Sequence, residues 1–318
     1  MAAIKPDWIA VDWGTTHMRA YAMNEAGNVL ARGRGAGMGA LAAGQNGGDF
    51  EDALAHVISD WLGDTCGDAK LPIVACGMVG SRQGWAEAGY LPVPHDLADL
   101  ASALTPVVTR NHRLSVWVVP GLRQSNPFDV MRGEETQLAG YVSQVLQGRD
   151  APSGRVCLPG THAKWARLDG NSVVHFSTAM TGEVFDLLTE HSILSHSVDG
   201  EAMDAQAFGD AVEAAFHDPA MLTQSLFSVR AEGLLAGEDG ARARARVSGL
   251  LIGAELAGAR LNPGEVISLI GTASLCQAYS DALTRVGHGS TRFEGEAMVL
   301  AGLMSVHAQL QQSDRIPA

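Results

Sequence analysis

Apolar and polar positions alternate in two rhythms along this chain. Residues 8–35 read as strand, Gly-Thr turn, strand, Glu-Ala-Gly-Asn turn, strand. Residues 155–179 repeat that order with a second Gly-Thr turn and an Asp-Gly-Asn turn. Laying Gly14 on Gly160 brings Thr15 onto Thr161, and Gly27-Asn28 and Gly170-Asn171 supply the positive φ that tight hairpins require. One βββ unit thus opens each half. After the first, 49–62 has helical spacing, with Phe50, Leu54, Val57, Ile58 and Trp61 on one face. The short apolar runs 71–76 and 115–120 read as buried strands and 132–147 as a helix. The Gly/Pro-rich stretch 148–154 breaks both rhythms and predicts a hinge, giving domains 1–150 and 151–318. In the second half, 182–192, 205–217 and 247–260 read as helices, and a helical insertion is expected over about 182–246. A strand over 265–270 and a closing helix over 295–311 complete an α/β chain with mixed sheets.

Composition narrows the function. Of 318 residues, 46% are hydrophobic and 18% charged, enough for two folded cores. The formal charge of -13 argues against a nucleic-acid partner. A protein this acidic must build any phosphate site locally, from backbone N–H groups, a few cations and a metal. Cys66, Cys76, Cys157 and Cys276 form no C-x-x-C pair, so reduced thiols in a reducing compartment are expected. No apolar run precedes the first strand and none approaches the ~18 residues of a membrane span, so a cytoplasmic protein with no membrane partner is expected.

Five motifs carry candidate chemistry. Ile9-Ala10-Val11-Asp12-Trp13-Gly14-Thr15-Thr16 delivers a carboxylate at a strand end, then a turn whose N–H and hydroxyl groups suit phosphate oxygens. Asp12 there could hold Mg²⁺, directly or through water. Leu158-Pro159-Gly160-Thr161-His162-Ala163-Lys164 repeats the turn; Lys164 is one of only three lysines, with Lys5 and Lys70, and would add a positive point charge. Arg132-Gly133-Glu134-Glu135-Thr136 opens a helix, where acidic residues also simply suit the helix dipole. Read as chemistry, Glu134 or Glu135 is a general base for a hydroxyl, with Glu134 preferred and the pair left unsplit by spacing. The loop Gly77-Met78-Val79-Gly80-Ser81-Arg82-Gln83-Gly84-Trp85 follows a buried strand, where α/β proteins bind ligands; Ser81, Arg82, Gln83 and Trp85 are candidate acceptor contacts. Gly271-Thr272-Ala273-Ser274-Leu275 ends a strand and opens a helix, a place where an adenosine could approach closely. The P-loop, H-E-x-x-H and G-x-S-x-G patterns are absent, and the Gly-rich run 33–48, without a dinucleotide fingerprint, is expected to be a mobile loop.

Two Asp-x-Gly-Thr-like hairpins, one per half, resemble the actin/hexokinase/Hsp70 ATPase superfamily. The chain is more specifically similar to the 2-keto-3-deoxygalactonate kinase (2-dehydro-3-deoxygalactonokinase) family. The ordered segments 10–16, 77–81, 131–137, 159–165, 180–183, 249–255 and 271–275 carry the likeness. The resemblance implies two RNase H-like (actin-like ATPase) domains with mixed sheets flanked by helices, and a cleft closing over ATP and Mg²⁺. It implies transfer of phosphate to O6 of 2-dehydro-3-deoxy-D-galactonate in galactonate catabolism. Asp12, Gly14, Thr15 and Thr16 fall on the first phosphate loop, and Gly160, Thr161, His162 and Lys164 on the second. Gly271, Thr272, Ser274 and Leu275 fall on the adenosine loop, with 295–303 as the helix behind the nucleotide. Many sugar kinases of the superfamily use an aspartate as base where this chain offers Glu134 and Glu135. The acceptor is expected in the first half, its carboxylate on Arg82 or Arg132. Another sugar acid or a ketose as acceptor, a nucleotide-dependent clamp, and a homodimer remain open on sequence.

Overall fold

The structure is a computed structural model that describes residues 4–44, 49–62, 70–145, 154–200, 202–237 and 239–312. Its strands are β1 (Trp8–Trp13), β2 (His17–Met23), β3 (Val29–Ala36), β4 (Leu71–Cys76), β5 (Tyr90–Pro92), β6 (His95–Asp96), β7 (Thr105–Val107), β8 (Leu114–Val118), β9 (Gly121–Ser125), β10 (Phe128–Met131), β11 (Gly154–Leu158), β12 (Ala163–Asp169), β13 (Ser172–Ala179), β14 (Val266–Gly271) and β15 (Gly289–Glu294). Its α-helices are α1 (Met38–Ala42), α2 (Phe50–Ile58), α3 (Glu134–Val145), α4 (Thr181–His191), α5 (Ala205–His217), α6 (Leu222–Ala236), α7 (Gly240–Ala259), α8 (Ala273–Arg285) and α9 (Gly295–Gln312). The α/β class with mixed sheets is as the sequence predicts. The stretch 148–153 of the expected hinge, and Cys66, lie outside the described residues.

The chain divides into two compact units. The first holds the described residues up to 145, with Leu168–His175 and the stretch from Glu296 onward. Its six-stranded sheet runs β3-β2-β1-β4-β8-β7. Here β1–β2 and β2–β3 are antiparallel, whereas β1–β4 and β4–β8 are parallel. On one face, Ile9, Val11, Trp13, Met18, Ala20 and Ile73 pack with Leu54 and Ile58 of α2. A Cβ at Gly35 would lie 2.8 Å from Cγ2 of Val57, and one at Gly33 2.5 Å from Cγ1 of the same residue. The glycines of β3 therefore let α2 settle on the strand, and 33–44 form regular structure rather than the expected mobile loop; 45–48 lie outside the described residues.

The opposite face carries α3 and α9. A Cβ at Gly140 would sit 1.9 Å from the carbonyl oxygen of Met298, and one at Gly302 1.9 Å from that of Thr136, so the two helix backbones touch. The Trp8 and His307 rings stack at 4.1 Å. The last helix thus packs in the first unit, whereas the sequence reading put 295–311 in the second half; helical periodicity shows that a face is apolar but not which core it joins. Strands β10-β9-β5 form a separate small sheet. These short strands, with Pro92 in β5 and Pro94 and Pro127 in the flanking connections, have too few alternations to be read from sequence.

The second unit comprises Gly154–Arg167 and Phe176–Gly295. Its strands run β15-β14-β11-β12-β13, the topological counterpart of β8-β4-β1-β2-β3. Strand β14 pairs parallel with both β11 and β15. The outer end of the β12–β13 hairpin is counted with the first unit, where Ser172 and Val173 pair with Asp96 and His95. The expected insertion is helical, as α4 to α6 and the start of α7. Helix α7 begins at Gly240, earlier than predicted, because the run Ala-Arg-Ala-Arg-Ala-Arg from 241 alternates with period two, although Ala243, Ala245 and Val247 are all buried within the helix. A Cβ at Gly249 or Gly253 would lie 2.4 or 2.3 Å from the carbonyl oxygens of Phe208 and Val212, which sets how closely α7 approaches α5.

Candidate functional site

In the first unit, the ends of β1 and β4 and the start of α3 converge. Asp12 pairs across the sheet with Arg19 on β2 and Cys76 on β4. The Arg19 guanidinium donates to Asp12 at 3.2 Å. Burial pushes the Asp12 carboxyl up while Arg19 pulls it down. Gly14 closes the turn, its N–H donating to the carbonyl of His17 at 3.0 Å, and Thr15 and Thr16 are exposed. The N–H groups of Gly37, Met38 and Gly39 hold the turn's carbonyls from behind.

Gly77 and Gly133 meet where these elements converge. Both have positive φ, 93° and 106°, a region costly for other residues. A side chain at Gly77 would strike the carbonyl of Trp13, and one at Gly133 would press on Gly77 itself. Both α3 carboxylates fold back on the helix start: Arg132 N–H donates to Glu134 at 3.0 Å, and Gly133 N–H to Glu135 at 2.7 and 3.0 Å. Their environments differ. Glu135 is fully buried and also accepts from Thr136 at 3.0 Å. Burial, reinforced by the neighbouring Glu134 charge, raises its carboxyl to about 8. Glu134 is only half-buried.

The loop after β4 sorts its candidates. Arg82 points to solvent, 83% exposed, with its nearest carboxylate, Glu87, at 3.8 Å. Gln83 is exposed, and Trp85 packs edge-on against Trp13 at 6.1 Å between centroids. Arg132 is buried, its guanidinium 4.2 Å from the Tyr90 ring centroid and donating to the carbonyl of Ala88 at 2.7 Å. Its Nη1 and the Ser81 hydroxyl are buried without a hydrogen-bond partner. Gly80, next to Ser81, makes room for that nitrogen, since a Cβ there would lie 2.8 Å from it. Buried donors of this kind call for an acceptor that the folded chain does not itself provide.

In the second unit a cavity of about 520 Å³ opens beside the second Gly-Thr turn. Gly160, Thr161, Ser274 and Leu275 from the predicted set line it. Gly271, Thr272, His162 and Lys164 do not form its wall, although Thr272 Oγ1 lies 3.5 Å from Ser274 Oγ. His162 pairs with Glu183 of α4, and buried Lys164 donates to the carbonyl of His162 at 3.2 Å. Lys164 is thus a brace under the turn as the structure stands. The sequence reading missed Thr181, Phe185, Arg244, Ser248 and Tyr279, which also line the cavity. The Arg244 guanidinium lies 4.9 Å from the Phe185 ring centroid. The family-like segments 180–183 and 249–255 were the available signal for this wall. Among the described residues, no group of three or more His, Cys, Asp or Glu is placed to hold a metal, and no helix is long and apolar enough to cross a membrane.

Comparison with known proteins fits this geometry. A protein from Rhizobium meliloti (strain 1021) named probable 2-dehydro-3-deoxygalactonokinase DgoK1 is 44% identical over 306 residues, covering 93% of this chain and 95% of that one. The Escherichia coli (strain K12) 2-dehydro-3-deoxygalactonokinase is 36% identical over 303 residues, covering 94% and 97%. The crystal structure of a Sinorhizobium meliloti protein bearing the same enzyme name superposes with a TM-score of 0.86 at 40% identity, covering 95% of this chain and 99% of that one. The fold and these relatives define a phosphotransferase of the carbohydrate-kinase class. The model of the 2-keto-3-deoxy-galactonokinase family matches residues 12–306, and the chain belongs to that family.

Proposed function

We propose that this protein transfers the γ-phosphate of ATP to O6 of 2-dehydro-3-deoxy-D-galactonate, in galactonate catabolism in the cytoplasm. The observation that carries the acceptor reading is the buried, unpartnered pair of donors, Arg132 Nη1 and Ser81 Oγ, next to a helix start bearing two carboxylates. A 2-keto acid carboxylate would satisfy the guanidinium, which binds planar oxyanions best. Of the two arginines, Arg132 is the favoured anchor, since Arg82 is spread into solvent. Glu134 is the favoured base: a half-buried carboxylate can reach a hydroxyl, whereas both oxygens of fully buried Glu135 are turned onto Gly133 N–H.

The nucleotide occupies the cavity of the second unit, with its phosphates toward the Gly160-Thr161 turn and its adenosine against Ser274 and Leu275. In the first turn, exposed Thr15 and Thr16 offer backbone N–H and hydroxyl donors to phosphate oxygens. Mg²⁺ fits the donor set as an ion carried mainly by phosphates and water, with Asp12 the protein carboxylate beside it, since Mg²⁺ commonly takes one or two carboxylates and keeps several waters. When bound, it would neutralise charge building on the transferred phosphate. The deciding experiment is an ADP-release assay over a panel of sugar acids and ketoses, with the product's phosphate position read by NMR. Turnover selective for 2-dehydro-3-deoxy-D-galactonate, with phosphate on O6, is expected. Preference for another acceptor, or ATP consumption indifferent to every acceptor, overturns the proposal.

A further inference from the structure

One carboxylate in the second unit, half-buried like Glu134, has no part in the reaction above. Glu255 lies on α7, two residues past Gly253, and burial raises its carboxyl while three hydrogen bonds pull it back down. Each bond comes from a different element. Oε1 accepts from Trp165 Nε1 of β12 at 2.7 Å. Oε2 accepts from Tyr279 Oη of α8 at 2.8 Å and from Thr181 Oγ1 of α4. Thr181 and Tyr279 both line the cavity beside the Gly160-Thr161 turn, and Trp165 does not. A carboxylate drawn out of water is costly unless its oxygens are satisfied, and here four elements meet at one acid.

We infer that Glu255 is a positioning residue for nucleotide binding, setting two cavity walls, α4 and α8, through the hydroxyls of Thr181 and Tyr279. This rests on the reading of that cavity as the nucleotide site. The chemistry makes the link directional. An indole N–H can only donate, so Trp165 demands an acceptor on its side. In Glu255→Gln the amide oxygen must therefore face Trp165, which turns the amide N–H₂ toward the two hydroxyls. Both hydroxyls would then have to rotate from donating to accepting, with the packing volume unchanged.

The test measures ATP affinity by calorimetry, KM for each substrate, kcat and thermal midpoint. Glu255→Gln is expected to raise Kd and KM for ATP about tenfold, equivalent to ~1.4 kcal/mol, with the acceptor KM unchanged. Thr181→Val/Tyr279→Phe should do the same, and adding Glu255→Gln to that pair should weaken ATP binding no further. A purely structural role would lower the thermal midpoint but leave the ATP KM of the folded enzyme in place. Wild-type ATP affinity in Glu255→Gln, or an additive loss in the triple variant, overturns the proposal. Should Glu255→Gln not fold, Trp165→Phe decides, because it spares both hydroxyl bonds. A normal ATP KM there, beside a raised one in Thr181→Val/Tyr279→Phe, supports the proposal, and equal losses overturn it. Ser248→Trp, which fills the cavity, separates the two readings. If ATP still binds that variant normally, the cavity assignment itself falls. If ATP binding is lost there but normal in Glu255→Gln, only the role of Glu255 falls.

Discussion

The two units share a strand order and a Gly-Thr turn but differ in where they keep charge. In the first, the strand leading into the turn carries Asp12 one residue before its end, and Arg19 opposite forms the ion pair. In the second, the equivalent positions are Leu158 and Trp165, both buried, and the carboxylate that engages Trp165 comes instead from a helix, as Glu255. The first unit gathers Asp12, Arg19, Arg132, Glu134 and Glu135 around its strand ends and the start of α3; the second builds a walled cavity, two of whose lining hydroxyls are tied to Glu255. A duplicated hairpin can thus keep its backbone while one copy holds groups able to move protons and anchor anions, and the other holds volume. Similar topology does not carry similar chemistry; the side chains at equivalent positions decide it.

The largest effect that would test this contrast is at α3. Glu134→Gln should lower kcat about 10²–10⁴-fold with little change in ATP KM, the range for losing a general base, whereas Glu135→Gln should keep most activity. Steady-state kinetics on both would reverse the assignment if Glu135→Gln proved the dead enzyme. Next, Arg132→Ala should raise acceptor KM about 10–100-fold, as expected when a charge-assisted contact of ~1.5–3 kcal/mol is lost, and Arg82→Ala should stay near wild type. An equal rise in both would return Arg82 to the acceptor site.

Smaller effects probe packing. Gly302→Ala and Gly253→Ala each force a Cβ against a carbonyl oxygen, at 1.9 and 2.3 Å, and should cost about 1–3 kcal/mol as overpacking. Gly258→Ala, on the same helix as Gly253 but with open space around it, should gain up to ~1 kcal/mol from helix propensity. Thermal melts of the three would show whether close approach is confined to those crossings. A pH dependence tests the buried acid of α3 separately. The folded Glu135 carboxyl sits near 8, above its usual 4.5, so the folded state holds this proton more tightly than the unfolded one. Stability from this group is therefore full below about 4.5 and is lost as pH rises toward 8. Glu135→Gln should melt higher than wild type at pH 8.5, with the gap closing toward pH 5; a gap that does not change with pH would remove the buried acid as its cause.

Much of this architecture was legible in the sequence, for physical reasons. Strands such as Ile73 to Cys76 are covered on both faces and read as unbroken apolar runs, and the Gly-Thr turns announced themselves by repetition. Asp12, Gly14, Gly160, Thr161, Ser274 and Leu275 could be put forward as candidates because strand ends and turns leave local signatures. Arg244, Ser248 and Tyr279 were not, since they reach the cavity from helices whose spacing reports burial but not what a face surrounds. Glu134 and Glu135 were inseparable by spacing, and only the depth of each carboxylate divides them. The ownership of α9 was illegible too, because two glycines, Gly140 and Gly302, choose its partner by allowing contact that no local pattern records.

That last helix has a consequence for biosynthesis. Its segment is made after every strand of the second unit, yet Trp8 at the opposite end of the chain waits for His307 to stack upon it. On the ribosome, the earlier-made half therefore cannot close its core until the chain's last helix has been made, however early its own strands emerge.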